Sequence, residues 1–158
     1  MFRSMRRKDR EISESAAAQL LHSARRGVLA VNGTDGYPYC VPINYFYDEA
    51  HRQIIFHSAR AGYKAESLCA SDKVCFTVYG NESIRKEEWA PFLQSVVVFG
   101  RCRPVADAAL AMSLLKQFAM KYYPEESMAD RGIAKSGTAV QVYAIQIEHL
   151  AGKEVQEK

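Results

Sequence analysis

Apolar and polar positions change period several times along the chain, and each change marks an element. Over residues 13–26, Leu20, Leu21 and Ala24 form one apolar stripe. Ala16 to Ala18 favour a helix there, Ser13 or Ser15 can cap its start, and Gly27 is the expected stop. Residues 28–32 (VLAVN) read as a strand, and Gly33 to Gly36, with Asp35-Gly36 inside, as a tight hairpin turn. Residues 37–47 (YPYCVPINYFY) alternate, with Val41, Ile43, Tyr45 and Tyr47 on one parity and Cys40, Pro42, Asn44 and Phe46 on the other. Pro42 removes one ladder donor, which predicts an edge, a bulge, or a ligand in place of a neighbouring strand. Asp48 to Arg52 is a turn, residues 53–58 (QIIFHS) a further strand, and Tyr63 to Ala70 a short helix.

Residues 73–80 (KVCFTVYG) alternate and predict a half-exposed strand ending at Gly80-Asn81. Residues 81–92 read as a charged loop containing Trp89 and Pro91, and 93–105 as a long strand bent at Gly100. Residues 107–122 predict a second long helix, capped by Asp107, with Leu110, Leu114, Leu115, Phe118 and Tyr122 as its stripe. Pro124 to Gly137 reads as a loop and 138–149 as the last strand, with Val140, Val142, Ala144 and Ile147 as buried candidates. Six strands separated mostly by short turns do not make an alternating βαβ chain. No GxGxxG opens a helix and there is no P-loop, so the nucleotide folds built on them are unsupported. The expected class is mainly β (α+β): a six-stranded antiparallel barrel with helices packed outside.

Composition narrows this little. The 158 residues suit one domain, and 48% hydrophobic with 25% charged residues is the balance of a globular chain. No apolar run approaches the roughly 18 residues of a membrane helix. The apolar piece near the start is broken by Gln19, His22 and Ser23, so neither a membrane span nor a secretory signal is expected. Charge matters more. Within residues 1–10, five basic residues face Asp9 alone, a local +4, so the net +3 of the chain leaves −1 for the rest. The expected organisation is a basic arm over 1–12, one domain over 13–153 and a short tail over 154–158. A nucleic-acid binder carries a basic face extending beyond ten residues, so the arm is read as a solvated leader and no nucleic-acid partner is expected. Cys40, Cys69, Cys75 and Cys102 form no CxxC pair, and Cys40 and Cys75 sit in apolar runs. They are read as reduced thiols of a cytoplasmic protein. His22, His51, His57 and His149 stand at no metal-ligand spacing, so no metal is expected.

One stretch carries candidate chemistry. In FHSARAGYK (residues 56–64) a strand ends near Ser58, small residues follow, and a helix starts near Tyr63. Backbone N–H groups at such a junction favour an anion. Ser58 adds a hydroxyl, Arg60 and Lys64 add positive charge, and Ala59, Ala61 and Gly62 permit close approach. A phosphate cradle and an ordinary solvated turn both fit. Pro42, Ile43 and Asn44 could present free backbone groups and an amide to a planar ring, or form a satisfied barrel rim. His57 at a strand end is either structural or catalytic.

Several segments together resemble one family: MRRKDREI (5–12), DGYPYCVPINYFY (35–47), IIFHSARAGYK (54–64), KVCFTV (73–78), SVVVFGRCRPV (95–105) and HLAGK (149–153). They resemble the nitroimidazole-resistance proteins within the pyridoxamine 5'-phosphate oxidase-like flavoproteins. The resemblance makes Met5 the usual family start. It implies a split-barrel homodimer with FMN in two grooves at the subunit interface. On this chain it implies that Pro42, Ile43 and Asn44 face the flavin ring and that His57, Ser58 and Ala59 line the ring or ribityl chain. Lys64 would hold the phosphate, Ser95 and Val96 would be further flavin contacts, and His57 would be the catalytic candidate. Trp89 would be a loop anchor or a contact to the partner's flavin. The implied activity is reduction of nitro-aromatic or related small molecules with NAD(P)H as donor. A non-catalytic flavin- or haem-binding protein, or one using deazaflavin, remains the alternative.

Overall fold

A computed structural model describes residues 2–84 and 91–156. Trp89 lies outside the described residues. Seven strands form one antiparallel sheet: β1 (Arg26–Asn32), β2 (Pro38–Asn44), β3 (Phe46–Asp48), β4 (Gln53–Ala59), β5 (Lys73–Ile84), β6 (Pro91–Pro104) and β7 (Val140–Gln156). Their order across the sheet is β2-β1-β5-β6-β7-β4-β3. The two edge strands are therefore neighbours in sequence, joined by Tyr45 alone, and this covalent link closes the sheet into a split barrel. Seven strands replace the expected six because the run from 37 to 47 breaks at Tyr45. Before the break it pairs with β1 (Asn44 opposite Arg26), after it with β4 (Phe46 opposite Ile55). Among the described residues no strand lies opposite Tyr45 itself. Pro42 sits on edge strand β2, where its missing donor costs no ladder bond on the open side.

Inward-facing alternate residues of every strand make one core, including Leu29, Ile43, Tyr47, Phe56, Phe76, Val96 and Ile145. Helix α1 (Glu14–Ser23) adds Leu20 and Leu21 to that core at one end of the barrel. The Ser13 side chain accepts from the Ala16 N–H at 3.1 Å. The helix stops at Ser23, earlier than expected, and Gly27 serves a different purpose. It is a buried residue of β1 whose Cβ would stand 2.2 Å from the Phe76 ring. Helix α2 (Tyr63–Ala70) covers the other end. Helix α3 (Ala108–Tyr122), capped by Asp107, packs Leu114, Leu115 and Phe118 onto the outer face of β4 and β7 as a second apolar cluster with Ile55 and Val142.

Three boundaries differ from the sequence pattern. Residues 126–136, expected as loop, form helix α4 (Glu126–Ser136). Its apolar face is short, with Ala129 buried and Ile133 packed against the second cluster, and Lys116 of α3 also holds it through Glu126 and Asp130. Strand β5 runs past Gly80 by way of a bulge between Gly80 and Ser83, with Asn81 at φ +55°. Strand β7 runs from Val140 to Gln156, beyond the expected strand end at 149. The basic arm touches the body of the domain. Phe2 stacks on His149 at 5.0 Å, the Ile12 N–H donates to the Gly152 carbonyl at 3.1 Å, and Glu11 bridges to Lys153. Cys40 is exposed and Cys75 half-buried, so of the four free thiols only Cys102 is a core residue. Among the described residues no helix is long and apolar enough to cross a membrane.

Candidate functional site

The strand-to-helix junction after β4 is built as the small residues suggested. The chain leaves β4 at Ala59 and turns at Gly62, whose φ of +109° is open to glycine and strained for other residues. Among the described residues no side chain caps the start of α2, which leaves its first N–H groups open to an outside acceptor. Lys64 lies in this first turn, half-buried, with Nζ 5.9 Å from the centroid of the Phe56 ring. Burial pushes its ammonium below the usual lysine range, and no carboxylate among the described residues compensates it. Tyr63 fastens the junction to the β1–β2 hairpin. Its hydroxyl donates to Asp35 Oδ1 and its ring packs edge-on against Tyr39 at 4.9 Å. Arg60 is directed elsewhere: its guanidinium donates to Gln141 Oε1 at 3.3 Å and to the Thr138 carbonyl at 3.2 Å.

Strand parity separates the remaining candidates. Pro42 and Asn44 are exposed on the outer face of β2, whereas Ile43 points into the core at 8% exposure. Ser95 is half-buried on the same outer face but on β6, three strands away in the sheet. At the usual strand spacing that is about 14 Å. Val96 is fully buried in the core, so only its backbone could meet a ligand. Ser58 is half-buried and Ala59 exposed at the end of β4, beside the junction.

His57 alternates with Phe56 and Ser58 and so lies on the outer face of β4, beneath α3. The Phe118 ring meets its imidazole edge-on at 4.8 Å. His57 Nδ1 is buried without a hydrogen-bond partner. Burial, followed by the charge of Lys64, lowers its pKa and so favours the uncharged ring. A cavity of about 320 Å³ opens beside it, walled by Phe118, Ala119, Tyr123, Ile133 and Gly137. Most of this wall comes from α3 and α4. The sequence reading placed Phe118 in an apolar stripe without assigning it to a site, and it read α4 as loop although Met128, Ala129 and Ile133 fall at helical spacing there. The junction, the β2 face and the His57 cavity are thus three neighbouring surfaces rather than one closed pocket within a single chain.

Comparison with known proteins places the chain by family and fold. The family model described as pyridoxamine 5'-phosphate oxidase matches residues 13–154. Among solved structures, a candidate 5-nitroimidazole antibiotic resistance protein from Bacteroides thetaiotaomicron superposes with a TM-score of 0.77 at 17% identity, covering 91% of this chain and 85% of that one. An FAD-binding protein from Mesorhizobium loti gives 0.67 at 24% identity, covering 92% and 97%. A flavocytochrome from Azotobacter vinelandii gives 0.75 at 18% identity, covering 92% and 70%. At these identities the likeness is one of fold. No curated protein matches the chain.

Proposed function

Because the chain belongs to the pyridoxamine 5'-phosphate oxidase family, we propose that it is an FMN-binding flavoprotein, working as a homodimer that reduces nitro-aromatic molecules of the 5-nitroimidazole kind. The observation that carries this reading is Lys64. A half-buried ammonium with no carboxylate partner among the described residues, beside an uncapped helix start, is an incomplete arrangement. A phosphate monoester completes it, with the first N–H groups of α2 and the Ser58 hydroxyl as further donors. Flavin-binding proteins among the structural neighbours support the same ligand class.

The roles divide by position. Lys64, Ser58 and Ala59 would hold the phosphate and ribityl chain. Pro42 and Asn44 would lie against the ring, with the Asn44 amide hydrogen-bonding its edge and Ile43 anchoring the strand in the core. Bound FMN would supply hydride and single-electron transfer, with NAD(P)H as donor, chemistry that side chains do not offer. Each electron pair delivered to a nitro group must be matched by two protons. His57 would relay one of them, one ring nitrogen taking up a proton as the other gives one to the substrate, and the apolar cavity beside it would limit water around a one-ring substrate.

The outer face of β2-β1-β5-β6 supports the dimer. Val28, Ala30 and Val97 are half-buried there and Tyr79 and Phe99 stand exposed, on strands whose other face is the core. Ser95 belongs to this face, and it and the Val96 backbone enter the reading as part of what a second copy would cover. The interface should bury more than about 2,000 Å² in total, as obligate interfaces do. A monomeric mass at micromolar concentration would refute it. The exposed thiols of Cys40 and Cys69 suit a reducing, cytoplasmic compartment.

The experiment is a visible spectrum of the purified protein, followed by anaerobic reduction and addition of a 5-nitroimidazole in a single turnover. Flavin bands and reoxidation by the nitro compound are expected. Flavin bound but not reoxidised would make this a binding protein only. A Soret band would mark haem, and FAD outcompeting FMN would replace the cofactor.

A further inference from the structure

The chain crosses from one edge of the sheet to the other at Tyr45, where its backbone has no strand to pair with. Tyr45 is fully buried, and buried backbone groups left unpaired are strongly unfavourable. One side chain meets both of them. The Tyr122 hydroxyl, in the last turn of α3, accepts from the Tyr45 N–H at 2.8 Å. It also lies 2.7 Å from the carbonyl oxygens of Tyr45 and Arg25, with a single proton to share between them. Its surroundings hold it there. Phe118 packs against its ring at 5.0 Å and the Arg25 guanidinium stands 5.5 Å from the ring centroid. The Tyr45 side chain is fastened separately: its hydroxyl donates to the Leu21 carbonyl at 2.6 Å, and Lys121 Nζ stands 3.9 Å over its ring.

We propose that Tyr122 is a positioning residue for the flavin-facing strand: its hydroxyl stands in for the missing ladder partner at Tyr45 and thereby sets the orientation of Asn44. The inference rests on the FMN reading above. Without the hydroxyl, the Tyr45 amide and carbonyl must turn to find other partners while the ring stays anchored in the core. The planar peptide between Asn44 and Tyr45 transmits that turn to Asn44, the last residue of β2. Among the described residues the hydrogen bonds of the Tyr122 hydroxyl reach Tyr45 and Arg25 and no candidate flavin residue. It acts only through the backbone of Tyr45.

Tyr122→Phe removes the hydroxyl and nothing else. Tyr45→Phe is its control, since it deletes a buried hydroxyl of the same kind and leaves the main-chain bridge intact. FMN affinity is measured by fluorescence titration, the environment of the ring by the shape of the bound visible band, and the bridge by exchange of the Tyr45 amide. Tyr122→Phe should weaken FMN about tenfold, the effect of one hydrogen bond, and change the bound spectrum. Tyr45→Phe should lose melting temperature while FMN affinity and spectrum stay as in the wild type. Equal weakening by both variants, or unchanged binding in Tyr122→Phe, overturns the inference and leaves the flavin reading standing. If Tyr122→Phe does not fold, the wild type decides. Coupling is reciprocal, so FMN must slow exchange of the Tyr45 amide, and an unaltered rate with FMN bound overturns the inference. A wild type that binds no flavin overturns the flavin reading and this inference with it.

Discussion

Replacing Lys64 by Met should stabilise the free protein and weaken its hold on FMN, two effects of opposite sign from one charge. Met keeps an unbranched apolar stem of similar length beside Phe56 and removes the ammonium. In the free protein, burial holds the Lys64 pKa below the ordinary 10.5. The folded state therefore binds this proton less tightly than the unfolded chain does. The resulting penalty is complete below the folded pKa and is lifted as pH rises from there to 10.5. Lys64→Met should accordingly raise the urea midpoint of the free protein at pH 7, and its advantage should shrink as the pH approaches 10. The ligand side is larger. A charge-assisted hydrogen bond to phosphate contributes about 1.5–3 kcal/mol, or roughly ten- to hundredfold in Kd. Riboflavin has the same ring and ribityl chain without the phosphate, so its affinity should hardly change. Fluorescence titration with FMN and with riboflavin separates the cases. Equal losses for both ligands would remove Lys64 from a phosphate site. A variant less stable than wild type by an amount independent of pH would refute the burial argument.

Three further expectations follow from other parts of the structure. His57→Gln should retain FMN but slow reoxidation by a nitro compound about 10²-fold. The wild-type acid limb should fall below the ordinary imidazole value of 6.5, because burial lowers this pKa, and the variant should lack that limb. Lys121 is pushed down to about 8, by burial first and then by the charge of Arg25, so the unfolded chain holds more protons between about 8 and 10.5 and stability should climb across that window. Lys121→Met should flatten the climb in urea titrations at pH 7 and 9.5, and an unchanged slope would refute the assignment. Gly27→Ala would drive a methyl to 2.2 Å from Phe76. Overpacking of this kind costs about 1–3 kcal/mol and should lower the melting temperature by several degrees, with partial recovery when Phe76→Leu is added. A Gly27→Ala protein as stable as wild type would show that β1 yields without cost.

Local chemistry was legible wherever a residue's neighbours in sequence decide its state. Alternation gave the strands away because each has one face on the core. Asp107 marked the start of α3 because a carboxylate at that position accepts the Leu110 N–H at 2.7 Å, and the ends of α2 at Tyr63 and Ala70 followed from the small residues before it. Pro42 announced an edge strand because it has no N–H to give. The small-residue junction before Lys64 was legible for the same reason. What the sequence could not show depends on contacts between distant segments. The strand break at Tyr45 exists because sheet closure leaves that residue between two edges, and its replacement partner, Tyr122, is 77 positions away. Helix α4 has a short apolar face at Ala129 and Ile133 among mostly polar residues, and its fastening by Lys116 depends on α3 lying alongside it. Parity could place Ser95 and Val96 on opposite faces, but only the strand order set Ser95 three strands from Pro42 and Val96 in the barrel core. His57 was visible as a lone imidazole at a strand end. Its buried, unpartnered Nδ1 and the cavity beside it arise only because α3 folds back across β4, where a low-polarity wall makes the neutral ring the stable form.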